Sequence, residues 1–351
     1  MIPQIEPCFG KEEADALTDY ARSGGWFTEH TYTRILENMI ADFLGVEHCL
    51  MVPNGTLALY AALSALGVGP GDEVIVPAFT MIATANAVGM VGAKPVFVDV
   101  HPDTFCMDTD VVKSVITDQT AAIIPVALNG RCPDISALRQ FWVPIVEDAA
   151  QAMGSLHDGR PIGTLGDIGC FSFSPHKIIS TGQGGCVVTN NGALEVNLRH
   201  FRNFGRPSGG GYDHRFFGTN LKFTDLQAVV GIEQVKKLPK RVERKREMYS
   251  LYRELLSDLV NFPATDLSNV TPWYVDILVD GRERLAAYLE GNGIKTNPFY
   301  PALHQTPVYY DYGSFPVAED VSRRGLWLPS SLKLTDEDIE LICECVRSFY
   351  D

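Results

Sequence analysis

Helix-like and strand-like segments alternate along the first half of this chain, and the alternation limits the folds that it can adopt. Apolar residues recur with helical spacing in four segments, at 11–23, 31–44, 56–66 and 82–91. Strand-like apolar runs separate or follow them, at 73–77, 95–100, 121–127 and 144–148. This order predicts an α/β fold with a mostly parallel sheet that is covered by helices on both faces. In such a sheet, functional residues lie at the carboxyl ends of strands and at helix starts.

The pattern changes after Lys236, where a long charged helix is predicted to begin. Its basic residues alternate with acidic and apolar ones, which favours a solvated helix face over a nucleic-acid-binding arm; the apolar positions are Val242, Met248, Leu251 and Leu255. Beyond it, the segments 271–279, 282–292, 296–300 and 336–350 indicate a small α+β domain. We therefore predict a large α/β domain over 1–236, with an N-terminal helical segment, and a linking helix with a small domain over 237–351.

Composition excludes several classes of partner. The net charge of −14 and the pI near 5.0 argue against nucleic acid or an anionic membrane surface. The eight cysteines form no C-x-x-C pair and have no histidine at zinc spacing, so no metal site is predicted. No signal peptide and no apolar run of membrane-spanning length is recognised, and we expect a cytoplasmic protein with reduced thiols.

The segment 169–190, G-C-F-S-F-S-P-H-K-I-I-S-T-G-Q-G-G-C-V-V-T-N, carries the first candidate for chemistry. It places Lys177 at a turn between two strand-like runs, 170–173 and 185–189. A lysine held on a rigid hairpin and buried there has a lowered pKa and a free lone pair, so it can act as a nucleophile towards an aldehyde.

Two other segments supply matching groups. Asp148 ends a strand in P-I-V-E-D-A-A-Q with Gln151 three residues later, while Asn54, Gly55 and Thr56 open a helix in M-V-P-N-G-T. Together with an amine, they form an anion-binding helix start and a carboxylate that can pair with a pyridinium. The cofactor that needs all three groups is pyridoxal 5′-phosphate (PLP).

Five motifs occur in one order along the chain: N-G-T, P-A-F-T-M-I-A-T-A-N-A, E-D-A-A-Q-A, G-D-I-G-C-F-S-F-x-x-x-K with G-Q-G-G, and G-T-N-L-K-F-T-D-L-Q-A. In these motifs the sequence resembles the DegT/DnrJ/EryC1/StrS sugar-nucleotide aminotransferases, and most of all their perosamine and viosamine synthase group. The similarity covers nearly the whole chain, and five ordered motifs are a specific signal. The resemblance implies the fold type I architecture of PLP-dependent transferases, with a smaller C-terminal domain.

The resemblance assigns roles residue by residue. Lys177 matches the lysine that bonds to the cofactor aldehyde and later moves a proton between cofactor and substrate carbons. Asp148 matches the carboxylate that keeps the pyridine nitrogen protonated, and Gln151 matches the residue beside the phenolic oxygen. The amino group then passes through pyridoxamine 5′-phosphate (PMP).

The phosphate is expected to be bound from two subunits. Gly55 and Thr56 match the phosphate-binding turn, and Ser172 matches a serine that adds a second hydroxyl. Asn220 and Lys222 fall in the segment that, in the family, reaches the phosphate across a dimer interface. The resemblance therefore implies a homodimer with active sites shared between subunits.

Some positions depart from the family pattern. Met81 stands where the family usually has an aromatic residue stacked on the pyridine ring, so either Met81 or Phe79 is expected to cover that ring. Gln183, Phe204 and Asn297 replace a common glutamate, histidine and arginine, respectively. The last two lie in segments expected near the sugar or the neighbouring subunit, so they leave the substrate's identity open.

Four residues are candidate substrate contacts. A branch of the family has histidine in place of the lysine and removes a sugar hydroxyl, but here His176 is one residue early and Lys177 keeps the register, which favours amination. His176 is then expected beside the site. Tyr300 and His304 either line the substrate pocket or pack a domain seam, and Arg215 is a candidate for nucleotide phosphates.

The resemblance implies a reaction that moves the amino group of L-glutamate to a nucleotide-linked 4-keto-6-deoxyhexose, giving a 4-amino sugar for surface glycans. A GDP-linked substrate, as in perosamine synthesis, is favoured over UDP- or dTDP-linked 4-keto sugars and over 3-keto sugars. A PLP-dependent sugar dehydratase and a PLP-binding regulatory protein without turnover stay open as alternatives.

Overall fold

The computed structural model describes residues 1–207, 211–310 and 312–351. Among these described residues, eight α-helices precede residue 237: α1 Lys11–Ser23, α2 Thr31–Leu44, α3 Gly55–Ala65, α4 Ala83–Met90, α5 Thr109–Val112, α6 Ile135–Arg139, α7 Gly192–Arg202 and α8 Asp225–Lys236. Nine strands lie among them: β1 His48–Val52, β2 Glu73–Pro77, β3 Lys94–Val98, β4 Thr120–Ile123, β5 Val146–Asp148, β6 Leu156–His157, β7 Arg160–Pro161, β8 Ile168–Ser172 and β9 Gly185–Thr189.

Seven of these strands form one sheet in the order β3-β2-β4-β5-β8-β9-β1. Parallel bridges from Ile123 to Ile145 and from Val126 to Asp148 join β4 to β5, so two groups of strands become continuous. Neighbours from β3 to β8 run parallel, whereas β9 is antiparallel to both β8 and β1. The predicted α/β fold with a mostly parallel sheet is confirmed.

Polar side chains fix where several helices begin. Asn54 accepts a hydrogen bond from the backbone N–H of Leu57 at 2.9 Å and starts α3, because it satisfies a donor that lacks a partner within the helix. The start of α2 is capped from a distance, since the Asp225 carboxylate accepts from the backbone N–H groups of His30 and Thr33. These two hydrogen bonds tie the start of α2 to α8.

The remaining elements are α9 Leu238–Leu256, β10 Val275–Leu278, α10 Arg282–Gly291, β11 Asn297–Pro298, α11 Pro316–Arg324, β12 Gly325–Leu328 and α12 Asp336–Tyr350. The strands form an antiparallel sheet in the order β10-β12-β11. Side chains of α9, α10 and α12 pack against it around Met248, Tyr249, Tyr252 and Ile277. This part of the chain carries its own apolar core.

Helix α9 differs from its prediction. Its buried face includes Arg241 and Lys245 beside Met248, whereas Leu251 and Leu255 are only half-buried. Both charged side chains are held by backbone carbonyls and an amide, which satisfies their donors away from water. Helix α9 therefore buries some of its basic residues, whereas the prediction placed them on a solvated face.

The parts before and after residue 237 meet in a cluster of aromatic side chains. Phe79 from the first part lies with its ring centroid 5.8 Å from that of Phe299, which in turn lies 5.0 Å from Trp327. The predicted boundary at 236/237 stays a prediction, because this packing makes one apolar cluster of both sides. Among the described residues, no helix is long and apolar enough to cross a membrane.

Candidate active site

A cavity of about 740 Å³ opens at the carboxyl ends of β1, β2, β5 and β8. This edge is where an open α/β sheet exposes its functional residues. Eleven residues singled out from the sequence line the cavity: Asn54, Gly55, Thr56, Met81, Asp148, Gln151, Ser172, His176, Lys177, Gln183 and Tyr300.

Lys177 lies in the loop between β8 and β9, where its backbone N–H donates to the carbonyl of Ser174 at 3.0 Å. Protein atoms enclose its amine at the cavity wall, and this burial lowers the pKa of Lys177 to about 7, although the charge of Asp148 opposes the shift. Much of the amine is therefore neutral near neutral pH. A neutral, positioned amine is what attack on an aldehyde requires.

Asp148 is the last residue of β5, and its carboxylate is buried and held in one orientation. It accepts hydrogen bonds from the hydroxyl of Thr84 at 2.8 Å and from the backbone N–H of Ala150 at 3.2 Å. Burial raises its pKa above the ordinary value, and the two donors and Lys177 act against this. A cationic partner in the cavity would stabilise its charged form.

The start of α3 forms an anion-binding turn. Gly55 and Thr56 are its first residues and line the cavity, and backbone N–H groups at a helix start attract phosphate. A Cβ atom at Gly55 would lie 2.8 Å from the Cβ of Ser172, so only glycine lets Ser172 approach the turn. The serine hydroxyl is thereby brought beside the helix start.

Gln151 is oriented by a residue that the sequence analysis missed. Its side-chain oxygen accepts the backbone N–H of Asn129 at 2.8 Å, which leaves the amide NH₂ as the group available to a ligand. Asn129 has a φ of 52° and pairs with both backbone polar groups of Tyr274, at 2.7 and 2.9 Å. The Asn-Gly pair at 129–130 is a turn signal that could have pointed to this position.

Trp273 and Tyr274 also line the cavity and were not predicted to do so. The indole N–H of Trp273 donates to the carbonyl of His176 at 2.6 Å, and its ring centroid lies 3.5 Å from the Nζ atom of Lys177. The sequence carries no motif at this place, because the contact joins the lead-in to β10 with a loop almost a hundred residues earlier.

Of the two candidates for covering the cofactor ring, only Met81 borders the cavity. Its side chain is 46% exposed, whereas Phe79 is 1% exposed and packs against Phe105 and Phe299. A methionine sulfur can cover an aromatic face. The structure thus leaves Met81 as the residue in position to do so.

The structure does not bring His304 or Arg215 to the cavity. His304 is buried with its Nε2 atom 3.0 Å from a carboxylate oxygen of Glu319, and its ring packs against Phe315. It therefore packs a seam, which was the alternative to pocket lining. Arg215 is exposed and pairs with Asp213 at 2.7 Å.

Asn220 and Lys222 also lie outside the main cavity. Lys222 borders a second cavity of about 410 Å³, and the other cations there are Arg34, Arg199, Arg202 and Arg206. Burial lowers the pKa of Lys222, and the charges of Arg206 and Arg202 lower it further, while Glu29, which lines the same cavity, acts against this. The Oδ1 atom of Asn220 accepts the backbone N–H of Lys222 at 3.3 Å.

The substituted positions 204 and 297 also have defined surroundings. Phe204 lies beside this second cavity with its ring centroid 4.6 Å from the Nζ atom of Lys222. Asn297 donates to the side-chain oxygen of Gln4 at 3.3 Å and does not border the main cavity. Over the described part of the chain, no cluster of three or more His, Cys, Asp or Glu side chains is arranged to hold a metal ion.

Residues 7–347 match the DegT/DnrJ/EryC1/StrS aminotransferase family. The chain belongs to this family. The GDP-perosamine synthase of Vibrio cholerae is 34% identical to it over 100% of both chains. The UDP-N-acetyl-3-dehydro-alpha-D-glucosamine 3-aminotransferase of Acidithiobacillus ferrooxidans is 39% identical over 90% of this chain and 87% of its own.

Solved structures agree with the family. The Streptococcus pneumoniae protein Spr1654 superposes with a TM-score of 0.94 in its PMP form and 0.93 in its PLP form, at 28% identity. Each superposition covers 99% of this chain and 98% of that one. The chain is a PLP-dependent sugar-nucleotide aminotransferase, whose cofactor alternates between PLP and PMP.

The residues of the main cavity fit this cofactor. An amine with a pKa near 7, a buried carboxylate and a helix start beside a serine hydroxyl border the same cavity. The close approach of Ser172 to Gly55 gives a cradle that a side chain at position 55 would fill. The DegT/DnrJ/EryC1/StrS fold thus brings together, in this chain, groups from four separate strand ends.

Proposed function

We propose that this enzyme transfers the amino group of L-glutamate to GDP-4-keto-6-deoxy-D-mannose and releases GDP-perosamine. The observation that carries the chemistry is Lys177, a half-buried lysine whose desolvated amine has a pKa near 7 and borders the same cavity as Asp148. The substrate is proposed from the similarity to the GDP-perosamine synthase of Vibrio cholerae over the whole length of both chains.

Each cavity residue has a part in holding the cofactor. Gly55, Thr56 and Ser172 bind the phosphate through backbone N–H groups and hydroxyls. Asp148 pairs with the protonated pyridine nitrogen, because a buried carboxylate gains most from a cationic partner. When bound, PLP supplies an electron sink and a carrier for the amino group.

Two more residues complete the cofactor site. Gln151 donates its amide NH₂ to the phenolic oxygen, since its side-chain oxygen already accepts from Asn129. Met81 would cover one face of the ring, and the amine of Lys177 would hold the aldehyde end of the cofactor.

Lys177 also moves the protons of both half-reactions. In the first half-reaction its neutral amine would take the proton from the α-carbon of glutamate and deliver it to the cofactor carbon that bears the nitrogen. In the second it would take a proton from that carbon and deliver it to C4 of the sugar. Both states are accessible because burial brings the pKa of the amine near the pH of the reaction. Tyr300 and His176 border the same cavity and contact the substrate.

The active sites are shared within a homodimer. Asn220 and Lys222 do not reach the main cavity of their own chain, and Lys222 lies in a cavity lined by four arginines. An anion held by this cavity would balance its excess of positive charge. Exposed aromatic side chains that a partner copy would cover are Trp26, Phe27, Phe216 and Phe217.

A second candidate substrate is a UDP-linked 3-keto sugar. It is favoured by the 39% identity to the Acidithiobacillus ferrooxidans 3-aminotransferase, although that similarity covers less of the chain. dTDP-linked 4-keto sugars are a further alternative, whereas Lys177 and Asp148 in one cavity argue against the dehydratase reaction and against a regulatory role without turnover. We place the reaction in the cytoplasm, where it supplies an amino sugar for a surface polysaccharide such as an O-antigen.

The test is incubation of the protein with PLP, L-glutamate and a panel of GDP-, UDP- and dTDP-linked keto sugars, followed by mass spectrometry of the nucleotide sugars. We expect the GDP-linked 4-keto-6-deoxymannose to gain an amino group. Lys177→Ala should produce none, while Lys113→Ala, which removes an exposed lysine, should match the parent. Amination of only a UDP- or dTDP-linked sugar would overturn the proposed substrate. Loss of oxygen without gain of nitrogen would overturn the proposed reaction.

A further inference from the structure

The indole ring of Trp273 forms the wall of the cavity against which the amine of Lys177 rests. The Nζ atom lies 3.5 Å from the ring centroid, well within the distance of a cation–π interaction. The ring is 8% exposed, so little water competes for this contact. We propose that Trp273 is a positioning residue that receives the free amine of Lys177 and stabilises its protonated form between the two proton transfers, an inference that rests on the proposed role of Lys177.

The ring is fixed on several sides, so it is in place before the amine arrives. Its N–H donates to the carbonyl of His176, and its face stacks on Tyr274 with centroids 3.9 Å apart. Asn129 binds both backbone polar groups of Tyr274. Because Asn129 also binds Gln151, the position of the ring is linked to the cofactor-binding residues.

A buried lysine also fixes the backbone of Trp273. The Nζ atom of Lys245 on α9 donates to the carbonyl of Trp273 at 2.8 Å and also to the carbonyl of Ser330. Ser330 in turn accepts the backbone N–H of Val275 at 2.9 Å through its hydroxyl. The lead-in to β10 is thereby tied to α9 and to the end of β12.

The other charged or titratable groups around Lys177 are few. Asp148 on β5 favours the protonated amine, while burial opposes it. His176 precedes Lys177 in the same loop, and Tyr274 and Tyr300 border the same cavity. Behind the loop, a void of about 10 Å³ is bordered by Lys177 and by five other titratable or charged residues: Glu6, Cys8, His176, Arg241 and Lys245. Beside the carboxylate of Asp148, the ring of Trp273 also favours the charged amine from the cavity side, and it does so without adding a negative charge.

This arrangement allows the ring to help Lys177 retain its proton until the transfer to the sugar. A lysine that must give up a proton to the sugar has first to retain it, and burial alone would release that proton to solvent too readily. A carboxylate in the place of the ring would hold the proton too strongly. The quadrupole of an indole stabilises the cation more than burial alone would and less than a carboxylate would.

The test measures the pKa of Lys177 while tryptophan analogues with increasing fluorine content replace all four tryptophans. Fluorine weakens the negative potential of the ring face and changes its size little. The loaded protein is first converted to its PMP form with L-glutamate, so that the Lys177 amine is free. Trace acetic anhydride then labels it at a series of pH values, and mass spectrometry of the Lys177 peptide gives the pKa. We expect this pKa to fall progressively, by about half a pH unit for the most fluorinated analogue.

The matched control is Trp273→Phe grown with the same analogues. It keeps an unfluorinated aromatic face at position 273, so the labelling pKa of Lys177 should not respond to the fluorine on Trp26, Trp142 and Trp327. A pKa in the parent that ignores fluorination, or an equal response in Trp273→Phe, would overturn the proposal. Borohydride reduction of the PLP-loaded parent separates this outcome from failure of the proposed function: if the cofactor does not become fixed to the Lys177 peptide, the role of Lys177 itself is wrong.

Discussion

At the scale of single residues, identical side chains acquire different chemistry from their neighbours. Lys245 is buried and Lys177 is half-buried at the cavity wall, and desolvation of the amine lowers the pKa of each to about 7. Lys177 has Asp148 and an open cavity beside it, whereas Lys245 has only backbone carbonyls as partners. The first is therefore available for reaction, and the second fixes the backbone.

The lowered pKa of Lys177 predicts how cofactor uptake depends on pH. Only the neutral amine attacks the aldehyde, so the rate at which cofactor-free protein binds PLP should rise with pH through a midpoint of about 7. An exposed lysine would give a midpoint near 10.5. Stopped-flow absorbance of PLP over a pH series gives the rate.

A variant of Asp148 tests the same assignment. Asp148→Asn removes the charge that favours the protonated amine, so the midpoint should move to lower pH. A midpoint near 10 in the parent would mean that the amine is not desolvated. A midpoint that does not move in Asp148→Asn would mean that the carboxylate does not act on it.

The close approach of Gly55 and Ser172 predicts that a methyl group added at position 55 destabilises the protein. Gly55→Ala would place a Cβ atom 2.8 Å from the Ser172 Cβ, so the helix start and the strand end must separate. We expect stability to fall by about 1–3 kcal/mol and PLP affinity to fall with it. Urea unfolding and PLP titration measure both effects.

A second glycine provides the control for this change. Gly89→Ala lies in α4, where an added Cβ meets nothing within 4 Å, so it should be neutral or slightly stabilising. Equal PLP affinity in the parent and Gly55→Ala would show that the phosphate is not bound at this turn.

At the scale of elements, helix α9 shows where patterns in the sequence are insufficient. Its apolar residues predict a face through Leu251 and Leu255, yet the buried face runs through Arg241, Lys245 and Met248. The helix passes from one apolar core to another, and each core covers a different part of its surface. Carbonyls supplied by distant segments make the burial of its charges possible, and periodicity cannot reveal them.

Burial of Lys245 predicts a pH-dependent stability. In the unfolded chain a lysine keeps its proton up to about pH 10.5, whereas folded Lys245 loses it near 7. Between these values the unfolded state binds more protons, so the free energy of unfolding rises with pH by at most about 1.4 kcal/mol per pH unit from this group. Below pH 7 both states are protonated, and the contribution is constant.

Lys245→Met should remove this slope. We expect the free energy of unfolding of the variant to rise less steeply than that of the parent between pH 7.5 and about 9.5, measured by urea unfolding at each pH. Lys240→Met, which changes an exposed lysine of the same helix, should keep the parent slope. Equal slopes in the parent and Lys245→Met would contradict the burial of a neutral amine.

At the scale of the whole molecule, the cavity is built from distant parts of the chain. Asp148 and Lys177 come from the large sheet, while Trp273, Tyr274 and Tyr300 come from segments after residue 270. A buried ion pair joins the same parts, since Arg131 donates to Asp276 at 2.7 Å. The cavity therefore depends on how these parts are packed together.

The proposed sharing of sites between subunits predicts complementation. Lys177→Ala and Lys222→Ala homodimers should each be nearly inactive. Mixed subunits place both changes in one site and leave the other site intact, so unfolding and refolding a mixture should restore about a quarter of the parent activity. No recovery in a mixture proven by mass spectrometry to contain mixed dimers would mean that Lys222 acts in its own chain.

The sequence by itself determined the sheet and most of the cavity. The alternation of helical and strand-like segments set the α/β fold, because periodicity reports directly which face of each element is buried. Local motifs around Gly55, Asp148 and Lys177 placed these residues at strand ends and helix starts. Such positions are fixed by a few neighbouring residues, so short segments suffice to identify them.

Only the tertiary structure decided the rest. It excluded His304 and Arg215 from the cavity, left Met81 rather than Phe79 beside it, and placed Trp273 against Lys177. These outcomes depend on contacts between segments as far apart as the 97 residues that separate His176 from Trp273. No local pattern encodes such a contact, because the packing of the whole chain brings the two segments together.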